Sequence, residues 1–148
     1  MKQNIIVIEK NESVRYLLST VLQNRYRVSA FPDCYQAFGD LMSKEVDLVI
    51  LSVNGRDQQG IDFLEHIQTS RLHFNLPVII ISNEDMAGLK GLHSSYNFHA
   101  GGFFAKPFDP MHLVKKVEDL LTPAERVFEP VSDYRIESTR PLKVRLTS

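Results

Sequence analysis

Polar residues of types that could do chemistry stand directly after short apolar runs. Glu9 and Lys10 follow Ile5-Ile6-Val7-Ile8, Ser52 closes Asp47-Leu48-Val49-Ile50-Leu51, Ser82 closes Pro77-Val78-Ile79-Ile80-Ile81, and Lys106 follows Ala100 to Ala105 and precedes Pro107. A serine hydroxyl is a weak nucleophile until a base takes its proton. Glu9 is a carboxylate that could reach for that role. Neither serine sits in a Gly-x-Ser-x-Gly setting, which disfavours the nucleophile elbow of a hydrolase. The turn Glu9-Lys10-Asn11-Glu12 is acidic and glycine-free, unlike the Gly- or Ser/Thr-rich turn that cradles a flavin or nucleotide phosphate. Neither a cofactor nor an enzymatic activity is expected.

The remaining reactive side chains have plainer readings. His66, His73, His93, His99 and His112 are scattered rather than gathered at metal-ligand spacing, so no metal site is expected, and surface or half-buried roles are the default. Cys34 is the single cysteine; it can close no internal disulfide and reads as a small buried apolar side chain. Asp57 lies five residues beyond Ser52 in the loop Asn54 to Gly60, where a solvated carboxylate is the expectation.

The elements that must position these residues alternate along the chain. Asn4 to Ile8 is an apolar strand, and Val14, Leu17, Leu18, Val21 and Leu22 then line one face of a helix. Arg25 to Ala30 alternates as a second strand, and Asp33, three residues before Gln36, opens a helix running to about Lys44 in a capping-box-like arrangement. Val46 to Val53 is the third strand, Gly60 to Thr69 a helix carrying Ile61, Phe63, Leu64 and Ile67, and Leu76 to Ser82 the fourth strand with Pro77 near its start. Residues 84–98 read as a weak helix because Gly88 and Gly91 each cost about 1 kcal/mol relative to alanine in a helix interior. Ala100 to Ala105 is the fifth strand. Asp109-Pro110 then places an N-cap carboxylate ahead of a first-turn proline, and Leu113, Val114, Val117, Leu120 and Leu121 line the last helix.

Alternating strands and helices predict an α/β fold: a flavodoxin-like, doubly wound, five-stranded parallel sheet of strand order 2-1-3-4-5, with its ligand crevice at the carboxyl ends of strands one and three. The expected domain covers residues 1–121, and 122–148 is expected to be an extended or partly disordered C-terminal tail. Leu142-Lys143-Val144-Arg145-Leu146 within it alternates as a strand would, suited to a sheet edge or a partner.

Composition narrows the classes further. The 148 residues are 43% hydrophobic and suit one domain with a sizeable core. Seventeen Lys and Arg against eighteen Asp and Glu leave a net charge of −1, which disfavours a polybasic surface for nucleic acid or anionic lipid. In the tail, Arg135, Arg140, Lys143 and Arg145 are nearly offset by Glu125, Glu129, Asp133 and Glu137. The apolar runs fall far short of the roughly 18 residues that span a bilayer, and the N-terminus lacks a secretory pattern. No membrane association is expected, and the expected location is the cytoplasm.

Over roughly Asn4 to Leu121 the chain resembles the receiver domain of two-component response regulators. In that family the first strand ends in an acidic pair, the third in the aspartate that accepts a phosphoryl group, and the fourth in Ser or Thr, while Lys-Pro follows the fifth. The matching positions here are Glu9-Lys10, Ser52, Ser82 and Lys106-Pro107. Gly60 falls eight residues after Ser52 as the family's loop glycine does after its aspartate, and Phe103 takes the place of the switch aromatic. Phe104-Ala105-Lys106-Pro107-Phe108-Asp109 is the most specific stretch, and the resemblance implies a cis peptide at Lys106-Pro107. Gly55-Arg56 departs from the family's usual Met-Pro.

Two departures bear on activity. An ordinary receiver gathers three carboxylates around Mg²⁺, a hard cation that wants oxygen ligands. Here Lys10 replaces one carboxylate, and its ammonium offers no lone pair and repels a divalent ion. Ser52 replaces the acceptor aspartate, so no acyl phosphate forms at that position. Two readings follow. Either Glu9 faces Lys10 and Lys106 in an ion-free cluster, with Ser52 and Ser82 filling the remaining polar contacts, or Lys10 points into solvent and the cavity is a vestige. Either way the chain is expected to be a degenerate, or pseudo-, receiver that signals by phosphorylation-independent protein-protein contact. Its partner is expected to be a histidine kinase, another regulator, or a second copy meeting it through the weak helix, the fifth strand and the last helix. The alternative is an atypical phosphorelay receiver that takes a phosphoryl group at an unusual residue such as Ser52 or Asp57.

Overall fold

The computed structural model describes residues 2–53, 58–73, 75–83 and 100–122. Strands β1 (Gln3–Ile8), β2 (Tyr26–Phe31), β3 (Leu48–Ser52), β4 (Val78–Ser82) and β5 (Ala100–Ala105) form one parallel sheet of order β2-β1-β3-β4-β5. Helices α1 (Glu12–Leu22), α2 (Cys34–Ser43), α3 (Gln58–Thr69) and α4 (Pro110–Leu121) cover it. The strand order expected from the alternation is the observed one. The expected helix over 84–98, the Leu142–Leu146 segment, the rest of the tail beyond Thr122, Asp57, His93 and His99 lie outside the described residues.

Side-chain alternation divides the core in two. Ile5 and Val7 of β1, Leu48 and Ile50 of β3, and Ile79 and Ile81 of β4 pack with Leu18 and Leu22 of α1 and with Leu113, Val114 and Val117 of α4. Their neighbours Ile6, Ile8, Val49, Leu51, Val78 and Ile80 face the other way, onto Ala37 and Leu41 of α2 and Phe63, Leu64 and Ile67 of α3. A parallel sheet covered on both faces requires such unbroken apolar strands, because successive residues serve opposite layers. Cys34 is buried in the second layer, as expected.

Helix starts follow their caps. Asp33 Oδ1 accepts the Gln36 main-chain N–H at 2.8 Å, and the Gln36 amide returns to Asp33 Oδ2 at 3.2 Å. Asp109 Oδ1 accepts from Met111 N at 2.9 Å, one residue beyond Pro110. Several expected bounds move by one or two residues, among them the starts of β2, α3 and β4, and two differences have a visible cause. Leu17 is 38% exposed, because the α1 seam runs through Leu18 and Leu22, and Leu17 is turned about 100° from Leu18 on a 3.6-residue helix. β3 begins at Leu48 instead of Val46, because Asp47 is occupied at the start of β1: its carboxylate accepts the Asn4 N–H at 2.8 Å while its own N–H donates to Asn4 O.

Among the described residues, no helix is long and apolar enough to cross a membrane.

Candidate functional site

The parallel register brings the carboxyl ends of four strands to one rim. Ile8 pairs with Leu51, Ser52 with Ile81, and Ser82 with Ala105, so Glu9, Ser52, Ser82 and Lys106 leave the sheet side by side. Main-chain bonds extend the ladder past the strand ends, from Glu9 N to Phe31 O at 2.9 Å, Val53 N to Ile81 O at 2.9 Å, and Lys106 N to Ser82 O at 2.7 Å. The Lys106-Pro107 peptide is cis, as the resemblance implied.

Glu9 is the buried charge of this rim, 2% exposed. Its Oε2 accepts the Asn11 N–H at 2.8 Å, and its Oε1 lies 2.9 Å from Lys106 Nζ. The second contact is an ion pair by distance but lacks the alignment of a hydrogen bond. Lys106, with a side chain 18% exposed, runs its apolar stem into the rim and brings its ammonium to the carboxylate. Arg15, one turn into α1, folds back to donate from Nη1 to the Glu9 carbonyl at 2.8 Å and to the Lys10 carbonyl at 3.4 Å, fixing the β1–α1 turn from behind.

Of the residues singled out from sequence, Glu9 and Lys106 come together and Lys10 does not join them. Its side chain is exposed, so of the two readings of Lys10 the structure shows the solvent-facing one and not the three-member charge cluster. Neighbouring residues leave an extended chain on opposite sides, so when Glu9 turns inward Lys10 turns out. Ser82 is fully buried and Ser52 half-buried. Phe103 is half-buried against the α2–α3 layer. His112 is exposed near Asp109, whereas His73 is buried at the end of α3, with its Nδ1 3.3 Å from the Ser70 hydroxyl and its ring 5.8 Å from that of His66. Burial, followed by the neighbouring His66, pushes the His73 pKa below its ordinary value. Sequence reasoning missed Asn11 and Arg15. Asn11 could have been found as a helix N-cap ahead of Glu12, a role it fills by accepting from Val14 N at 3.0 Å. Nothing in the spacing of Arg15 foretells a long side chain curling onto a preceding turn.

This donor set does not fit a divalent cation. Mg²⁺ demands octahedral oxygen ligation, generally with one or more carboxylates. Glu9 supplies the carboxylate of this group, and both its oxygens are engaged, one by an ammonium and one by a main-chain N–H. The serines bring neutral hydroxyls. Among the described residues, no group of three or more His, Cys, Asp or Glu side chains is placed to hold a metal ion.

Fold and rim together define a receiver-type signalling domain. Residues 5–118 match the response regulator receiver domain, and the chain belongs to that family. It is 29% identical over 129 residues to the regulatory protein VanRc of Enterococcus gallinarum, covering 85% of this chain and 53% of that protein. It is 25% identical over 124 residues to the phosphate regulon transcriptional regulatory protein PhoB of Escherichia coli (strain K12), covering 82% and 52%. The chain thus spans about half the length of these relatives. Among solved structures, the chemotaxis response regulator CheY4 of Vibrio cholerae superposes with a TM-score of 0.71 at 22% identity, over 82% of this chain and 100% of that one, a likeness of fold.

Proposed function

We propose that this receiver domain relays signals by binding other proteins, without accepting a phosphoryl group at the end of β3 and without acting as an enzyme. The observation that carries the reading is the Glu9–Lys106 ion pair beside a strand that ends in Ser52. On this reading Ser52 stands at the position of the family's phosphoacceptor aspartate. A serine there offers no carboxylate for an acyl phosphate, and its hydroxyl needs a base before it can attack. The carboxylate nearest in the register, Glu9, is held by Lys106 and Asn11 and is poorly free to act as that base. The rim is satisfied by the protein's own charges, which favours one standing conformation over a phosphate-driven pair of states.

On this reading the chain is a pseudo-receiver whose partner is a histidine kinase or another regulator, met in the cytoplasm. The names of VanRc and PhoB as regulatory proteins support a place in the same kind of signalling. The test is incubation of the intact chain with acetyl phosphate and Mg²⁺, followed by intact-protein mass spectrometry and peptide mapping. No phosphoryl adduct is expected on any residue. An adduct on Ser52 or Asp57 overturns the proposal in favour of an atypical phosphoacceptor.

A further inference from the structure

On the face of the sheet away from α1 and α4, helices α2 and α3 enclose an open groove of about 290 Å³. Cys34, Tyr35 and Phe38 of α2 form one wall, and Phe63, His66 and Asp62 of α3 the other. Tyr35 is 85% exposed and Phe38 40% exposed, with Met42 exposed one turn further along α2. Clustered aromatic and thioether surface of this kind marks a contact site more often than a bare solvent face. The His66 ring backs this wall, meeting Phe38 edge-on at 4.9 Å between centroids.

We propose that the groove is a docking site for the chain's own segment Leu142-Lys143-Val144-Arg145-Leu146. The inference does not rest on the phosphorylation-free reading of the rim. As an extended strand this segment sets Leu142, Val144 and Leu146 on one side, toward the aromatic walls, and Lys143 and Arg145 on the other. The long stems of those cations reach sideways to the acidic edge formed by Asp62 and the exposed Glu65. Arg140, two residues earlier, adds a third cation to the same segment.

Chain length permits the closure. A domain of this size has a radius of gyration of about 14 Å, equivalent to a sphere of about 18 Å radius, so half its circumference is roughly 55 Å. The 20 residues from Thr122 to Leu142 span at most about 66 Å when extended, enough to pass from the end of α4 around the sheet to the opposite layer. Tethering then presents the segment at an effective concentration of about 1 mM, so a contact of only about 0.1 mM intrinsic affinity is closed roughly tenfold over open.

The test uses the full chain carrying Cys34→Ser and Ser148→Cys, with a nitroxide on the new thiol and ¹⁵N amides as the readout. Paramagnetic broadening is expected at Tyr35, Phe38, Phe63 and His66, unchanged by dilution and abolished by the pair Leu142→Asp and Leu146→Asp. Asp62→Lys is expected to weaken the docking two- to fivefold, as for a rim charge worth about 0.5–1 kcal/mol. Broadening spread evenly over the surface, broadening along the sheet edges Tyr26–Phe31 or Ala100–Ala105, or groove broadening that fades on dilution and so reports a second copy would each overturn it.

Discussion

Lys106 and Glu9 meet although two strands separate the ones that carry them. β5 and β1 lie three inter-strand spacings apart in the order β1-β3-β4-β5, about 14 Å at the usual separation, and still Nζ comes within 2.9 Å of Oε1. The pair therefore bridges the ends of β3 and β4, the strands that finish in Ser52 and Ser82. Its two members differ in what remains when the other is lost. Lys106→Met leaves a carboxylate that is 2% exposed with one N–H donor, while Glu9→Gln leaves an ammonium with an 18% exposed side chain that can turn to water. Urea unfolding should show Lys106→Met destabilising by about 2–4 kcal/mol and Glu9→Gln by about 1 kcal/mol, because an unpaired buried charge is the costlier defect. The reverse ranking would show that the rim does not depend on neutralising Glu9.

Restoring carboxylates should restore the cation. Lys10→Asp with Ser52→Asp adds two anionic groups at the ends of β1 and β3 and removes one ammonium, turning the donor set toward hard-ion ligation. We expect amide shifts near Glu9, Ser52 and Lys106 to respond saturably to Mg²⁺ in the double variant, with the native chain unresponsive over the same range. A double variant as indifferent as the native chain would mean that these positions do not form one site.

Most of this rim was legible because its strands are central. β1, β3 and β4 are buried on both faces and so appear as unbroken apolar runs, and the first polar residue after each run marks the sheet's edge. That reading placed Glu9, Ser52 and Ser82 to the residue. The direction of Lys10 was not legible, since it depends on which of two adjacent residues turns inward, and that is decided by Lys106 arriving from about a hundred residues away. Arg15 was hidden for a related reason: a guanidinium that bonds carbonyls leaves no pattern in hydropathy. The groove between α2 and α3 was not foreseen because residue type alone does not separate an exposed aromatic from a buried one, and Tyr35 and Phe38 are told apart from core only by their exposure.

The start of α2 tests how far local chemistry sets the second layer. Asp33 satisfies the Gln36 N–H through one oxygen and holds the Gln36 side chain with the other. Asp33→Ala should cost about 1 kcal/mol in urea unfolding, the usual loss for an N-cap carboxylate, and Asp33→Asn should recover most of it. A loss below the error of the fit would mean that burial of Cys34, Ala37 and Leu41 alone fixes where the helix begins.

His73 should make the domain sensitive to mild acid. It is buried between the end of α3 and α2; burial and the nearby His66 lower its pKa, opposed by a hydrogen bond to the Leu41 carbonyl. The unfolded chain therefore takes up a proton at His73 at a higher pH than the folded one does. Stability from this group is fully present above the ordinary value of 6.5 and declines as pH falls toward the lowered folded value. The slope from one histidine cannot exceed about 1.4 kcal/mol per pH unit. Urea midpoints from about pH 7.5 to about pH 5.5 should fall more steeply for the native chain than for His73→Gln, the difference isolating this group from the carboxylates that titrate lower. Parallel curves for the two proteins would remove His73 from the account, and a native curve that rises in acid would reverse the sign argued from its burial.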